Sequence, residues 1–188
     1  MAIKIFIDQG HNPGYPNAGA EGNGLKEQDV TYTVGVELAS LLNTNGNFQT
    51  MLSRNSEDEI LGTSNASSLR ARTEMANNWG ADYFISIHAN ASVIPTANGT
   101  EGYVYSFSSS AYPLAVDIVE GISAATGIIV RGVFERPTLY VLRRTKMPAT
   151  LIEIGFITNE SESLIMETNP QIFARGMYNG ILKYFGLL

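Results

Sequence analysis

The sequence predicts an α/β fold, a single domain with a twisted, mostly parallel sheet and helices on both faces. Three observations predict it. The chain has 188 residues, 44% hydrophobic and 16% charged, which is the size and balance of one domain with a real core. Apolar runs of strand length alternate with longer stretches of helical periodicity, the pattern of βα units. The first such run, Ala2 to Asp8, is apolar on both faces, with Ile3, Ile5 and Ile7 on one and Phe6 on the other. A strand of that kind is covered by helices on both sides.

Each element follows from its own signal. Gln9 to Gly24 is rich in Gly, Asn and Pro and reads as a loop. From Asp29 to Asn43 the apolar residues Val30, Val34, Leu38, Leu41 and Leu42 recur at helical spacing. Phe48 to Ser53 reads as a strand, and Ser67 to Trp79 as a helix that Gly80 is placed to end. Asp82 to His88 is a third strand, Ala91 to Thr100 a polar loop, and Gly102 to Phe107 a further strand. Ala111 to Ala125 is helical, with Pro113 tolerated in its first turn and Gly127 just past its end. Leu139 to Leu142 and Thr150 to Ile154 are expected as short strands. Asn159 can cap a helix over Glu160 to Met166, and Asn169-Pro170 is expected to open the last helix, with Phe173, Met177, Ile181 and Tyr184 inward.

Composition excludes several function classes. Twelve basic against eighteen acidic residues give a net charge of −6, a poor match to nucleic acid or an anionic membrane surface. No apolar run approaches the ~20 residues of a membrane-spanning helix. The absence of cysteine removes disulfides, thiol catalysis and thiolate metal sites. Met1-Ala2-Ile3-Lys4-Ile5 lacks the apolar stretch and cleavage site of a signal peptide.

There are two histidines, His11 and His88. Both stand where a strand gives way to a loop, in Ile7-Asp8-Gln9-Gly10-His11 and Ile87-His88-Ala89-Asn90. Glu153 lies within the apolar run Leu151-Ile152-Glu153-Ile154, and Glu27 opens the first helix. Ligands of open α/β sheets gather beyond the carboxyl ends of the strands, so these residues can converge there. Two imidazoles and a carboxylate are a familiar zinc set, and a second carboxylate beside them can act as general base. No short local motif such as H-E-x-x-H is present. At this point alternatives remain open: Glu21 rivals Glu27 as the acidic ligand, and Glu153 can instead be a buried ion-pair partner of Arg143 or Arg144. Arg54, Arg70 and Arg72 read as surface or structural ion pairs. The alternation of Tyr103, Tyr105 and Phe107 favours sheet packing over sugar stacking.

Segments spread over nearly the whole chain resemble the zinc-dependent N-acetylmuramoyl-L-alanine amidases often called type 3. They include Asp8-Gln9-Gly10-His11, Gly24-Leu25-Lys26-Glu27, Ser53-Arg54, Ser86-Ile87-His88-Ala89-Asn90, Gly99-Thr100-Glu101-Gly102, Val141-Leu142-Arg143 and Glu153-Ile154-Gly155-Phe156. The resemblance implies about six strands and one zinc ion per chain, with His11, Glu27 and His88 as ligands and Glu153 as catalytic glutamate. It implies hydrolysis of the amide between the lactyl group of N-acetylmuramic acid and L-alanine in bacterial peptidoglycan. Asp8, Asn90, Glu101 and Arg143 are expected around the ligands or along the cleft, with Asp8 and Asn90 orienting the imidazoles. The sequence departs from the family pattern Asp-Pro-Gly-His-Gly at Gln9 and Asn12. Residues 1–188 are expected to form the catalytic domain, monomeric, with no wall-binding domain within them. The expected place of action is the bacterial cell wall, as an endolysin, autolysin or sporulation enzyme. The competing readings are another zinc peptidase such as a carboxypeptidase, and an inactive wall-binding module.

Overall fold

A computed structural model describes residues 2–188. Six strands form one sheet in the order β4-β1-β5-β8-β6-β7. These are β1 (Ile3–Gln9), β4 (Phe48–Leu52), β5 (Tyr83–Asn90), β6 (Thr100–Val104), β7 (Val130–Glu135) and β8 (Ala149–Phe156). Strands β4, β1, β5 and β8 run parallel, β6 is antiparallel to β8, and β7 is parallel to β6. A two-stranded hairpin, β2 (Glu21–Gly22) with β3 (Leu25–Lys26), stands apart from it in the loop after β1.

The helices are α1 (Glu27–Asn45), α2 (Asn65–Trp79), α3 (Ala111–Thr126), α4 (Tyr140–Arg144), α5 (Glu160–Thr168) and α6 (Gln171–Tyr184). The strands divide their side chains between two cores. Ile5, Ile7, Ile85, Ile87, Ile152 and Ile154 pack with residues of α1, α3 and α6. Phe6, Phe84, Ala149 and Leu151 pack with Ala76 of α2 and with Val141 and Leu142 of α4. The expected helices on both faces are present, and among the described residues no helix is long and apolar enough to cross a membrane.

Most local signals act as expected. Gly80 and Gly127 end α2 and α3 in the left-handed conformation. The Asn159 side chain accepts from the N–H groups of Ser161 and Glu162 and caps α5. Asn169, in contrast, gives no side-chain cap to α6; its backbone carbonyl accepts the Ile172 N–H, and the helix begins after Pro170.

Two expectations are corrected. Leu139 to Leu142 is not a strand: Tyr140–Arg144 is the helix α4. A short apolar run carries no period to separate the two, and here the consecutive residues Val141 and Leu142 both enter the same core, which a helix permits and a strand forbids. The strand begun at Gly102 starts instead at Thr100 and ends at Val104, while Tyr105 and Phe107 are half-exposed beyond it. The edge strand β7 gave little signal, because Gly132 interrupts it and most of its residues face solvent.

Candidate active site

The site lies at the carboxyl ends of the parallel strands, on the face of the sheet that α2 and α4 cover. Register decides which side chains meet. Asp8 of β1 stands opposite Ser86 of β5, and His88 of β5 opposite Glu153 of β8. Glu101 of β6 stands opposite Glu153 on its other side.

His11, Glu27 and His88 converge. His88 Nδ1 lies 2.9 Å from Glu27 Oε1, and His11 Nε2 lies 3.2 Å from Glu27 Oε2. The two imidazole rings meet edge to face, 4.8 Å between centroids. One ligand atom from each of the three residues lies within 4.8 Å of the others. The rival Glu21 is exposed on the β2–β3 hairpin and takes no part.

Each member is held by its surroundings. Glu27 is the first residue of α1, where the helix dipole favours a carboxylate. Its Oε2 accepts the Ala20 N–H at 2.9 Å and its Oε1 the Ala89 N–H at 3.1 Å, so the loop and β5 both fix it. Burial would raise the Glu27 carboxyl, but hydrogen bonds and charge from His11 and His88 outweigh it and hold the group well below the usual carboxylate range. His11 Nδ1 lies 3.3 Å from the Asn17 carbonyl oxygen, so that edge of the ring faces the loop while Nε2 faces Glu27. Beside it, Gly10 leaves room for His88: a Cβ at Gly10 would sit 2.7 Å from His88 Cε1 and 2.5 Å from the Ile87 carbonyl oxygen.

His11 has φ of 68°, a left-handed conformation rarely adopted outside glycine, and Arg72 of α2 holds it there. The Arg72 guanidinium is buried. It donates to Asp8 Oδ1 and to the Gln9 carbonyl, each at 2.6 Å, to the His11 carbonyl, and to Asn12 Oδ1 at 3.0 Å. The backbone on both sides of Gly10 is thus tied to one side chain. Asp8 Oδ2 accepts the Ser86 hydroxyl at 2.8 Å. Burial would raise the Asp8 carboxyl, yet the charge and hydrogen bond of Arg72 prevail and lower it.

The two departures from the family pattern are built into this framework. Gln9 Oε1 accepts from the Arg54 N–H at 2.8 Å and the Ser53 hydroxyl at 3.2 Å. Asn12 donates to the Pro16 and Leu61 carbonyls and accepts the Leu61 N–H. Gly35 of α1 makes room, since a Cβ there would lie 2.5 Å from Gln9 Cγ. Arg54 and Arg72 are therefore structural and interior, not surface; Arg70 alone of the three is exposed, 4.0 Å from Glu74.

Glu153 makes no ion pair with Arg143 or Arg144. Its Oε2 is sealed from solvent and has no hydrogen-bond partner among the described residues. Burial raises its carboxyl well above the usual range, and the nearby carboxylates of Glu27 and Glu101 add to the rise. Among the described residues, Asp8 and Asn90 do not hydrogen-bond an imidazole, contrary to expectation. Both oxygens of Asp8 are taken by Arg72 and Ser86, and Asn90 donates to Glu101 Oε1 at 2.8 Å. Glu101 also accepts from the Tyr103 hydroxyl and from Arg131 Nε at 2.8 Å. Arg143 is exposed and lines a separate groove with Tyr105 and Lys146. It is not brought to the cluster.

Beside the histidines lies a cavity of about 130 Å³. Its walls are Leu69 of α2, Leu139, Tyr140 and Val141 at α4, and Leu151 of β8, with Asp8 and Arg72 in the lining. His11, Glu27 and His88 could hold a divalent cation, since they offer two imidazole nitrogens and a carboxylate and no thiolate. A buried carboxylate with one unpaired oxygen beside such a set has the makings of hydrolytic chemistry.

Comparisons with known proteins identify the family. A family profile described as N-acetylmuramoyl-L-alanine amidase matches residues 5–183. The chain is 39% identical over 189 residues to the N-acetylmuramoyl-L-alanine amidase CwlM of Bacillus licheniformis, covering 98% of this chain and 70% of that protein. It is 31% identical over 195 residues to the endolysin of Bacillus phage SPP1, covering 100% of this chain and 68% of that protein. Among solved structures, the N-acetylmuramoyl-L-alanine amidase AmiC2 of Nostoc punctiforme superposes with a TM-score of 0.85 at 33% identity, over 98% of this chain and 97% of that one. The chain belongs to the N-acetylmuramoyl-L-alanine amidase family.

Proposed function

We propose that the protein hydrolyses the amide between the lactyl group of N-acetylmuramic acid and L-alanine in bacterial peptidoglycan, with one zinc ion held by His11, Glu27 and His88. The observation that carries the reading is the convergence of these three residues beside the unpaired Glu153 carboxylate. The family match and the names of the relatives support the substrate.

A divalent cation held there supplies Lewis acidity toward the scissile carbonyl. The chain's own residues do the rest. Glu27 brings the negative charge that a dication needs, and the loop tied to Arg72 presents the His11 imidazole. Glu153 takes a proton from the attacking water and returns it to the departing alanine nitrogen, so the acid is released as a carboxylate and the peptide as an amine. Its unshared oxygen is available for that exchange, because no neighbouring donor occupies it. Residues 1–188 constitute the catalytic domain, and the site of action is the bacterial cell wall.

Digestion of purified peptidoglycan with the zinc-loaded protein, followed by mass spectrometry, tests the reading. The expected products are glycan strands bearing free lactyl acids and peptides with L-alanine amino termini, both lost in Glu153→Gln. Release of a carboxy-terminal amino acid instead would make the protein a carboxypeptidase, and sedimentation with the wall without any cleavage would make it a binding module.

A further inference from the structure

The chain is acidic overall, yet one segment reverses the sign. Between Arg136 and Lys146 it carries Arg136, Arg143, Arg144 and Lys146 and no acidic residue. Among the described residues none of these four lies within ion-pair distance of a carboxylate. The segment borders the candidate active site, for its Leu139, Tyr140 and Val141 line the cavity beside His11 and His88.

Arg136 is the member stacked on two rings of the sheet edge. Its guanidinium lies over two rings, 5.1 Å from the centroid of Tyr103 and 5.9 Å from that of Phe134. Its backbone N–H donates to the Val104 carbonyl at 2.8 Å, and its carbonyl accepts the Leu139 N–H at 3.1 Å. The side chain gives one hydrogen bond, from Nη1 to the Glu135 carbonyl, so most of its donors are open to solvent. A short series of contacts joins it to the reacting centre: Tyr103 donates its hydroxyl to Glu101, and Glu101 is the cross-strand partner of Glu153.

An arginine stacked on rings keeps its planar fork ordered without neutralising its charge. That fork matches a carboxylate, and little conformational freedom is left to lose on binding. Resting on the amidase reading above, we infer that Arg136 binds a carboxylate of the peptide on the leaving side of the scissile amide. Arg136 thereby makes the enzyme prefer acidic stem peptides.

The test uses the full zinc-loaded chain and two soluble substrates, muramyl-L-alanyl-D-glutamate with free carboxylates and the same compound with both carboxylates as amides. Wild type is expected to show the lower KM for the acidic substrate. Arg136→Gln is expected to raise that KM about fivefold, the scale of an exposed ion pair, with kcat unchanged and the amidated substrate unaffected. Arg136→Lys, which keeps the charge and loses the fork, falls between the two. High salt narrows the wild-type preference. Arg144→Gln, on the same segment but stacked on Tyr140 instead, leaves both substrates unchanged. The inference is overturned if Arg136→Gln affects both substrates equally or neither, or if Arg144→Gln has the same effect. Wild type that cleaves neither soluble substrate but releases lactyl acids from purified peptidoglycan overturns this inference alone, and wild type that cleaves none of the three overturns the amidase reading with it.

Discussion

Replacing Arg72 with Met removes the charge while keeping most of the volume, and the structure states what is then left behind. Asp8 Oδ1 loses its partner at 2.6 Å, and the carbonyls of Gln9 and His11 lose their donor, all in the interior. Only the Ser86 hydroxyl still faces the Asp8 carboxylate. Breaking a buried pair by removing one partner costs about 3–5 kcal/mol, against a total stability of about 5–15 kcal/mol for a domain. At roughly 2–4 °C per kcal/mol for a chain of this size, the metal-free protein is expected to melt about 6–20 °C lower. The pH dependence changes sign as well. In the wild type the folded Asp8 carboxyl is lowered below its ordinary 3.8, so its contribution is present above that value and is lost as pH falls through the folded one. In Arg72→Met the same group is buried without a counter-charge, its folded value rises, and its protonation on acidification then favours folding. Asp8→Asn added to Arg72→Met restores part of the loss, since the orphaned charge is gone. Calorimetry and urea unfolding from about pH 2 to pH 7, a span that crosses the ordinary aspartate range, read all three effects. A loss below about 1 kcal/mol, typical of a surface substitution, would refute the argument, as would an unchanged pH slope.

Other outcomes follow from the same geometry. Gly10→Ala places a Cβ 2.7 Å from His88 Cε1 and against the Ile87 carbonyl, so metal affinity measured by chelator competition is expected to fall about 10–100-fold, the usual effect of disturbing ligand support. Glu153→Gln is expected to lower kcat by at least about 10²-fold while leaving zinc affinity near wild type, because it removes the proton acceptor and not a ligand. Glu162 accepts the Gly99 N–H at 2.7 Å and the Phe156 N–H at 2.6 Å, and Glu162→Gln turns one acceptor into a donor. A stability loss of about 1–3 kcal/mol in urea unfolding is expected there, without loss of metal.

The sequence made the sheet legible where strands are long and apolar on both faces, as in β1 and β5, because that composition has few other uses. It made His11, Glu27, His88 and Glu153 legible as candidates, two by rarity and two by an acidic side chain at a helix start or in an apolar run. Parallel topology then supplies a common edge for them. Register was not legible: nothing in the spacing shows that His88 faces Glu153, or that Glu101 flanks Glu153 from β6. The role of Arg72 was missed although a signal was present. It lies four residues from both Ser68 and Ala76, which are buried on α2, so a charge stood on the inward stripe of a helix. Its partner Asp8 directly follows the buried apolar run Ile5-Phe6-Ile7 of β1, and the two belong together. Leu139 to Leu142 failed for the reason short apolar runs fail, since packing by α2 and β8, and not local preference, chose the helix.

The account is tested most directly by counting zinc. After dialysis against a weak chelator, elemental analysis of the wild-type protein is predicted to give one equivalent per chain, falling to a small fraction in each of His11→Ala, Glu27→Gln and His88→Ala while the folded signal in circular dichroism remains. Wild type without bound zinc, or a His88→Ala protein that keeps its full equivalent, would contradict it.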